Sequence, residues 1–506
     1  MIEILLIPIV TAAVCYAMKN TTATGYASLL GAVVLAGVSL PVVLASIAHP
    51  FESLGVFYMD ALSGYMMALV VFLCLVSAIY SIGYLEHELK VGLTNLAGMR
   101  RYYALLHLFI FTMLLVIVSN NLALMWIAVE ATTIVSAVLI GFGFRKRELA
   151  IEAAWKYIIL CTVGITFALL GTFITYYAST AVIGTGGNLN WTELKKIAGK
   201  LNPSTMKLAF IFILVGYGTK AGLAPLHNWL PDAHSEAPSP ISALLSGILL
   251  NTAFYGIMRF VSLVEPSTGE AFTGNLLIAF GLFSIGISSI FILVQDNYKR
   301  LLAYSSIEHM GIISLGIGIG GFAGIYGALL HILNHALSKP LMFFASGKIQ
   351  ARFGSTRIES VSGVLSSMPL LGTLTFIGAF SLAGSPPFNI FLSEFTILKA
   401  GVDKGLWPVV GLFLVSAVIV FYGILSAFGK MLFGKAAEEN HEHSGEHSTG
   451  GPAMSEYQAV PDYGLPGLMT DMTMIVMGLS IVLLGVTIPG VVDNTIRTCI
   501  QALGVK

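Results

Sequence analysis

The chain has 506 residues, 26 basic and 26 acidic side chains, 56% hydrophobic and 10% charged residues, and a mean hydropathy of +0.86. Soluble domains carry roughly 25% charged residues, so this composition excludes a soluble enzyme, a disordered chain and a nucleic-acid-binding protein with its basic surface. What remains is an all-α polytopic membrane protein, because the apolar runs are continuous and do not alternate as barrel strands do. A spanning helix takes about 20 mostly apolar residues, and about fourteen such stretches are present. They are 2–18, 26–48, 58–83, 102–118, 121–142, 151–178, 206–226, 241–263, 272–294, 300–320, 322–346, 367–398, 407–433 and 468–490. The first lacks a basic start and a clear small-residue cleavage site, so it reads as a span and not a signal peptide. Residues 102–142 are one apolar run cut only by Ser119-Asn120-Asn121. A helix of about 40 residues would be twice the membrane thickness, so those three mark a turn.

Two connections exceed turn length. Residues 180–205 contain Trp191-Thr-Glu-Leu-Lys-Lys-Ile-Ala, expected as a short interfacial helix. Residues 434–466 are polar and Gly/Ser-rich and hold His441, His443 and His447, expected as a solvated loop in preference to a metal site. Cys15, Cys74, Cys161 and Cys499 stand far apart without a CxxC pair. Neither a cluster nor a zinc site is signalled, and no cofactor is expected on this chain.

An even number of spans puts both termini on one side. With the N-terminus outside, Lys19, Lys90, Arg100, Arg101, Arg145, Lys146, Arg147, Lys299, Arg300, Lys348, Arg352, Arg357, Lys430 and Lys435 face the cytoplasm. The smaller set Lys195, Lys196, Lys200, Lys207, Lys399, Lys404, Arg497 and Lys506 faces away. The positive-inside rule therefore favours a multi-pass protein of the cell inner membrane with N- and C-termini outside.

Ionisable side chains inside spans are costly and mark function by default. Here they are Glu130, Lys156, Lys220, His331, His335, Lys339 and Glu394. Lys156, near a helix start, is read equally well as a structural ion pair. His331, His335 and Lys339 follow each other at i, i+4 and i+8, which places them on one helix face. Such a row can pass protons between water molecules. The two histidines could instead bind zinc, but a third ligand is not evident in the sequence.

Lys220 and Glu394 each sit beside helix breakers: Gly216, Gly218, Gly222 and Pro225 in one span, Gly384, Pro386 and Pro387 in the other. The prolines free the carbonyls of Ala221, Leu382 and Ala383. Broken helices in corresponding places of two halves point to an ion site between inverted repeats. The breaks are five spans apart, and an odd offset requires opposite orientation, so spans 4–8 and 9–13 form the expected inverted pair. The predicted organisation is 1–101 (spans 1–3), 102–265 (first repeat), 266–434 (second repeat), 435–467 (polar loop) and 468–506 (last span). Desolvation lowers a lysine pKa toward neutrality and a nearby carboxylate raises it. Glu130 moving toward or away from Lys220 would then load or unload a proton.

Three long motifs carry a resemblance: Lys220-Ala-Gly-Leu-Ala-Pro-Leu-His-Asn-Trp-Leu-Pro-Asp-Ala-His-Ser-Glu-Ala-Pro238, Ser242-Ala-Leu-Leu-Ser-Gly-Ile-Leu-Leu, and Gln295-Asp-Asn-Tyr-Lys-Arg-Leu-Leu-Ala-Tyr-Ser-Ser-Ile-Glu-His309. They resemble the antiporter-like proton-translocating subunits of respiratory complex I and of Mrp cation/proton antiporters. In detail they are most similar to the F subunits of hydrogenase-4 and formate hydrogenlyase, the group 4 membrane-bound [NiFe]-hydrogenases. The resemblance implies fourteen core helices, two inverted five-helix repeats, and broken seventh and twelfth helices. It implies that Glu130 is the fifth-helix glutamate, Lys220 its seventh-helix lysine partner, His331, His335 and Lys339 the eleventh-helix set, and Glu394 the twelfth-helix exit residue. The family's eighth-helix lysine is replaced by Asn251, so the link from Lys220 to His331 is expected to rest on ordered water, Ser242, Ser246 or Tyr255. His227 and Lys156 complete the supporting set. The short stretch after the last span sets the expectation of a member without a long lateral helix.

The function so implied is proton translocation by a subunit of a redox-driven complex, itself without a redox centre. The partners would be other membrane subunits, lipid, and a peripheral arm with iron–sulfur and [NiFe] subunits, with no nucleic acid. The transported ion would be the proton, with sodium as the alternative. A Mrp-type Na+/H+ antiporter subunit and a complex I-like quinone oxidoreductase subunit are the competing readings. An inert scaffold is disfavoured by Glu130, Lys220, Lys339 and Glu394 occurring together.

Overall fold

The computed structural model describes residues 1–143, 147–184, 187–434 and 464–504. His441, His443 and His447 lie outside the described residues. The chain opens with α1 (Ile2–Ala17) and α2 (Thr21–Ala48), followed by a hairpin of β1 (Phe51–Ser53) and β2 (Phe57–Met59) with Phe51 opposite Met59. Next come α3 (Ala61–Lys90), α4 (Leu96–Val118), α5 (Leu122–Ile140), α6 (Arg147–Ile183) and the short α7 (Trp191–Ile197). After α8 (Pro203–Ala221) and α9 (Trp229–Glu236), α10 (Ser239–Leu244) runs through a π turn at Leu245–Leu249 into α11 (Leu250–Thr268). Then follow α12 (Glu270–Leu293), α13 (Tyr298–Ile319), α14 (Gly321–Phe353), α15 (Val364–Ser367), α16 (Pro369–Leu382), α17 (Asn389–Asp403), α18 (Trp407–Phe433), α19 (Gly464–Val486) and α20 (Gly490–Leu503).

Among the described residues, ten helices are long and apolar enough to cross a membrane. The expected stretches beyond those ten correspond to α1 and α16, which are shorter, and to α8 and α14, which are long enough but more polar. The stretch expected as one span over 367–398 is two helices, α16 and α17, and the 206–226 stretch stops at α8 and resumes as α9. Both interruptions fall at the glycines and prolines described above. The hairpin is an addition to the all-helical expectation. Its strands have three residues each, too short to stand out from a loop, and β2 merges with the apolar stretch that begins at 58.

The centre of the bundle is α10–α11 and α13, whose apolar stretches are wholly buried, while α2, α18 and α19 are peripheral. Helices α12 and α13 approach through glycine. A Cβ on Gly281 would lie 2.7 Å from the Gly311 carbonyl oxygen, and one on Gly318 would lie 2.8 Å from that of Gly274. Small residues let backbones approach this closely where lipid gives helices no hydrophobic reason to associate.

The starts of α5 and α13 are built alike. Asn121 caps α5 by accepting from Ala123 and Leu124 amides, and Asn297 caps α13 by accepting from Lys299 and Arg300 amides. Each asparagine also pairs antiparallel with a later segment, Asn121 with Asn190 and Asn297 with Arg357. The two caps lie at opposite ends. The Asn190 end holds the hairpin, through the Gly55 carbonyl, and α20, through Lys195 Nζ donating to the Leu503 carbonyl at 3.1 Å. The Asn297 end, across α12, holds Lys299 bonded to the Ala237 carbonyl and Arg300 paired with Asp232.

Candidate functional site

Helix α8 stops at Gly222, whose φ of 78° is left-handed backbone that glycine adopts without strain. The break leaves Lys220 in the last turn, 1% exposed. Its Nζ donates to Thr133 Oγ1 at 2.8 Å and to Tyr157 Oη, and lies 4.7 Å from the Tyr157 ring centroid. Tyr157 Oη also bonds Ser136 Oγ at 2.8 Å. Trp229, opening α9, ties the break together by donating to the Thr219 carbonyl at 2.9 Å. Glu130 sits one turn before Thr133 on α5. Its Oε1 accepts from Thr162 Oγ1 at 2.8 Å, and its buried Oε2 has no hydrogen-bond partner. Glu130 and Lys220 therefore belong to one polar cluster but do not pair directly. Hydroxyl groups take the ammonium, and a threonine takes the carboxylate.

Lys156 does not join this cluster. Its side chain is 48% exposed and pairs with Glu152 at 2.7 Å and Asp232 at 3.2 Å. It is the structural ion pair, because the preceding turns of α6 bring Glu152 and the α9 start brings Asp232 to the same surface. His227 is buried in the connection between α8 and α9, with Nδ1 unpartnered.

Between the halves, Ser242 is spent on backbone, bonding the His234 carbonyl at 2.9 Å. Ser246, in the π turn, meets Ser306 of α13 at 2.7 Å between hydroxyl oxygens. Asn251 donates to the Gly247 carbonyl at 2.8 Å and leaves its buried Oδ1 without a partner. Tyr255 belongs elsewhere than expected. Its hydroxyl bonds the Ile117 carbonyl at 2.7 Å, Ser63 at 3.0 Å and Arg259 at 3.0 Å. That makes it part of a buried ion pair in which Arg259 holds Asp60 through two 2.7 Å bonds.

The second half gathers around α14. His331 Nε2 lies 3.0 Å from His309 Nδ1, and His331 Nδ1 lies 2.9 Å from Ser393 Oγ. The His335 ring lies 5.4 Å from the His309 ring, tilted by 58°, with both its nitrogens buried and unpartnered. Lys339 donates to the Leu302 carbonyl at 2.9 Å. Helix α17 restarts after the second break and turns Glu394 back toward Gly384, where a Cβ would collide with the carboxylate. Gly384, with φ of 65°, is thus needed both for its backbone and for its missing side chain. Glu308, His309 and Glu394 offer one ligand atom each within 4.8 Å of one another, a set able to hold a metal ion.

The sequence reading did not single out Glu308, His309, His234, Thr133, Tyr157, Ser393 or the Asp60–Arg259 pair. Glu308 and His309 carried the same signal as the residues chosen, adjacent ionisable groups inside the stretch 300–320. Asp60 and Arg259 likewise fall at the edge or interior of predicted spans. The hydroxyl partners carry no such signal, since threonine, serine and tyrosine are ordinary in spans.

The family described as "NADH:quinone oxidoreductase/Mrp antiporter, TM" matches residues 119–420, and "NADH-Ubiquinone oxidoreductase (complex I), chain 5 N-terminus" matches residues 51–102. The hydrogenase-4 component F homolog of Methylacidiphilum infernorum is 41% identical over 74% of this chain and 77% of its own length. The chain belongs to the complex I/Mrp antiporter-like membrane subunits. Another relative, NADH-quinone oxidoreductase subunit N of Desulforudis audaxviator, is 31% identical over 71% of this chain and 69% of its own. A solved structure of an archaeal respiratory membrane complex, the membrane-bound sulfane sulfur reductase, contains a chain of the same fold. It has a TM-score of 0.78 and 24% identity over 99% of both chains. As an antiporter-like subunit, the chain is a multi-pass membrane protein, and both polar clusters lie within the residues the first family match covers.

Proposed function

We propose that this chain is a proton-translocating membrane subunit of a redox-driven complex of the membrane-bound hydrogenase type. The observation that carries the reading is the pair of buried polar clusters at the two helix breaks, Glu130–Lys220 with Thr133 and Tyr157, and His331–His335–Lys339–Glu394 with His309. Buried ionisable groups in adjoining helices, joined by hydroxyls, amides and imidazoles, suit stepwise proton transfer. The 41% identity to a hydrogenase-4 component F homolog supports the hydrogenase setting. The mirrored asparagine caps at opposite ends support division into inverted repeats near 102–265 and 266–434. In this reading the termini face outside the cell inner membrane. The partners are further membrane subunits and a peripheral iron–sulfur and [NiFe] arm, and electron chemistry stays on that arm.

The test is purification of the complex from native membrane, identification of the co-purifying subunits, and measurement of redox-driven proton uptake in vesicles. Hydrogenase subunits and proton uptake are the expected results. Small antiporter subunits without a redox arm would favour the Mrp-type Na+/H+ reading, and quinone-reductase subunits the complex I-like one. Uptake that requires sodium would replace the proton as the transported ion.

A further inference from the structure

We propose that the cleft between α3, α14, α16 and α19 binds one anionic phospholipid, with Arg352 on its phosphate and its acyl chains along α16 and α19. The cleft shares no residue with the two polar clusters at the helix breaks, so it stands whether or not the chain translocates protons. It encloses about 500 Å3, inside the range of about 300–1,000 Å3 usual for ligand sites. It lies at the end of the bundle that holds Asn297. There the last turns of α14 bring in Lys348 and Arg352, and Tyr298 Oη donates to the Ser355 carbonyl, just beyond α14, at 3.0 Å.

The charges of the lining select the headgroup. Lys348 of α14 forms an ion pair with Asp471 of α19. Asp471 is the only acid among the lining residues, and half-buried Arg352 has no ion pair or hydrogen bond among the described residues. Two cations against one anion leave one positive charge, and His87, also in the lining, adds to it only when protonated. A phosphodiester supplies one negative charge, and its two free oxygens match the guanidinium fork. A headgroup with its own ammonium would bring a further cation to a cleft whose sole carboxylate is engaged. The Ser367 and Thr470 hydroxyls are spent on the Gly363 and Gly467 carbonyls. Helix α16 starts at the cleft wall with Pro369 and no side-chain cap, so the Leu370 and Leu371 amides lack partners within the helix and add donors there.

The rest of the lining selects a lipid over a soluble phosphate. Tyr80 lies flat on Phe344, with ring centroids 4.2 Å apart, and forms an aromatic wall with Tyr84. Leu370, 44% exposed, carries the apolar lining out to the surface of the bundle. Beside Asp471 on α19, Leu468, Met472, Val476 and Leu479 are all exposed and recur at helical spacing. They make an apolar row that leads from the charged end of the cleft into the membrane. Inorganic phosphate would use only the charges, whereas a phospholipid uses the charges and the row together. Basic pockets between spanning helices at one leaflet are where anionic headgroups bind.

The test uses the assembled complex carrying Leu370→Cys, in nanodiscs of phosphatidylcholine alone or mixed with phosphatidylglycerol. The rate of maleimide labelling at residue 370 is read by mass spectrometry of this chain, whose own four cysteines are buried, and co-purification of all subunits checks assembly. Phosphatidylglycerol should slow labelling about tenfold, as at a concentration near ten times the dissociation constant. Arg352→Gln should remove most of that protection, and Arg352→Lys should keep part of it. Equal rates in the two lipid mixtures, or protection that survives Arg352→Gln, would overturn the proposal. So would equal protection by glycerol phosphate in phosphatidylcholine discs, which would make this a site for a soluble phosphate. A residue 370 closed to maleimide in phosphatidylcholine discs would overturn it too, because protein would then cover the cleft. Native mass spectrometry gives a second reading. After detergent washing the native complex should retain one phosphatidylglycerol more than the Arg352→Gln complex, and equal retention would count against the site.

Discussion

Replacing Arg259 by leucine should destabilise the chain more than any surface change. Arg259 and Asp60 are 4% and 3% exposed and share two bonds of 2.7 Å. The guanidinium also donates to Ser63 at 2.8 Å and Tyr255 at 3.0 Å, and lies 4.5 Å from the Trp191 ring centroid. Without it, Asp60 keeps only the Ser63 amide at 2.9 Å and hydroxyl at 3.1 Å. Removing one partner of a buried pair costs about 3–5 kcal/mol, chiefly because the other charge is stranded. Adding Asp60→Asn discharges that residue and leaves an oxygen to cap α3, so the double variant should recover much of the loss. Unfolding can be followed with a thiol-reactive fluorophore, since Cys15, Cys74, Cys161 and Cys499 are all buried. A single variant within about 1 kcal/mol of the native protein, the range of exposed pairs, would refute the argument. So would a double variant no more stable than the single one.

Lys220→Ala and Lys220→Arg should both abolish or severely reduce proton uptake by the assembled complex, while dye-linked redox activity persists. Arginine keeps its proton with a pKa above about 12, and full pumping by Lys220→Arg would make the lysine a fixed counter-ion. Lys156→Gln should leave proton uptake unchanged and shift stability by about 0–1 kcal/mol; a pumping defect would return Lys156 to the path. On α20, the Arg497 guanidinium and then the Tyr326 hydroxyl hold the Asp493 carboxyl below the usual range. A depressed folded value stabilises above the ordinary aspartate pKa and is lost as pH falls through the folded one. Hydrogen exchange of α20, corrected for its intrinsic pH dependence, should therefore quicken below about pH 4. Asp493→Asn should show the quickened exchange already at neutral pH, and equal protection would contradict the assignment.

Much of the fold was legible because lipid imposes a simple grammar. Long apolar runs mark helices, and Gly222, Pro225, Gly384 and Pro387 mark the breaks. Glu130, Lys220, His331, His335, Lys339 and Glu394 were legible for the same reason, since each is anomalous in a span, whereas Glu308 and His309 carried the same signal and were passed over. Lys156 was misleading because hydropathy cannot tell a lysine facing a neighbour's aspartate at the surface from one facing inward. Tyr255 was assigned to the wrong neighbourhood because its partners, Ser63 and the Ile117 carbonyl, come from distant helices. The absence of a direct Glu130–Lys220 bond was beyond reach for a similar reason. It depends on Thr133, Tyr157 and Thr162 hydroxyls whose orientation only packing decides.

The π turn at Leu245–Leu249 sets the phase of everything beyond it. Asn251, Tyr255 and Arg259 recur every fourth residue and so form a polar rail along α11, leading from the middle of the bundle to Asp60 at its hairpin end. A wide turn accommodates one more residue than an α turn. Deleting a residue there would rotate the rail by about 100°, carrying Arg259 away from Asp60 and Asn251 away from the centre together. One irregular turn thus keys the resting place of the Asp60–Arg259 pair to the position of Ser246 against Ser306, more than about three helical turns away.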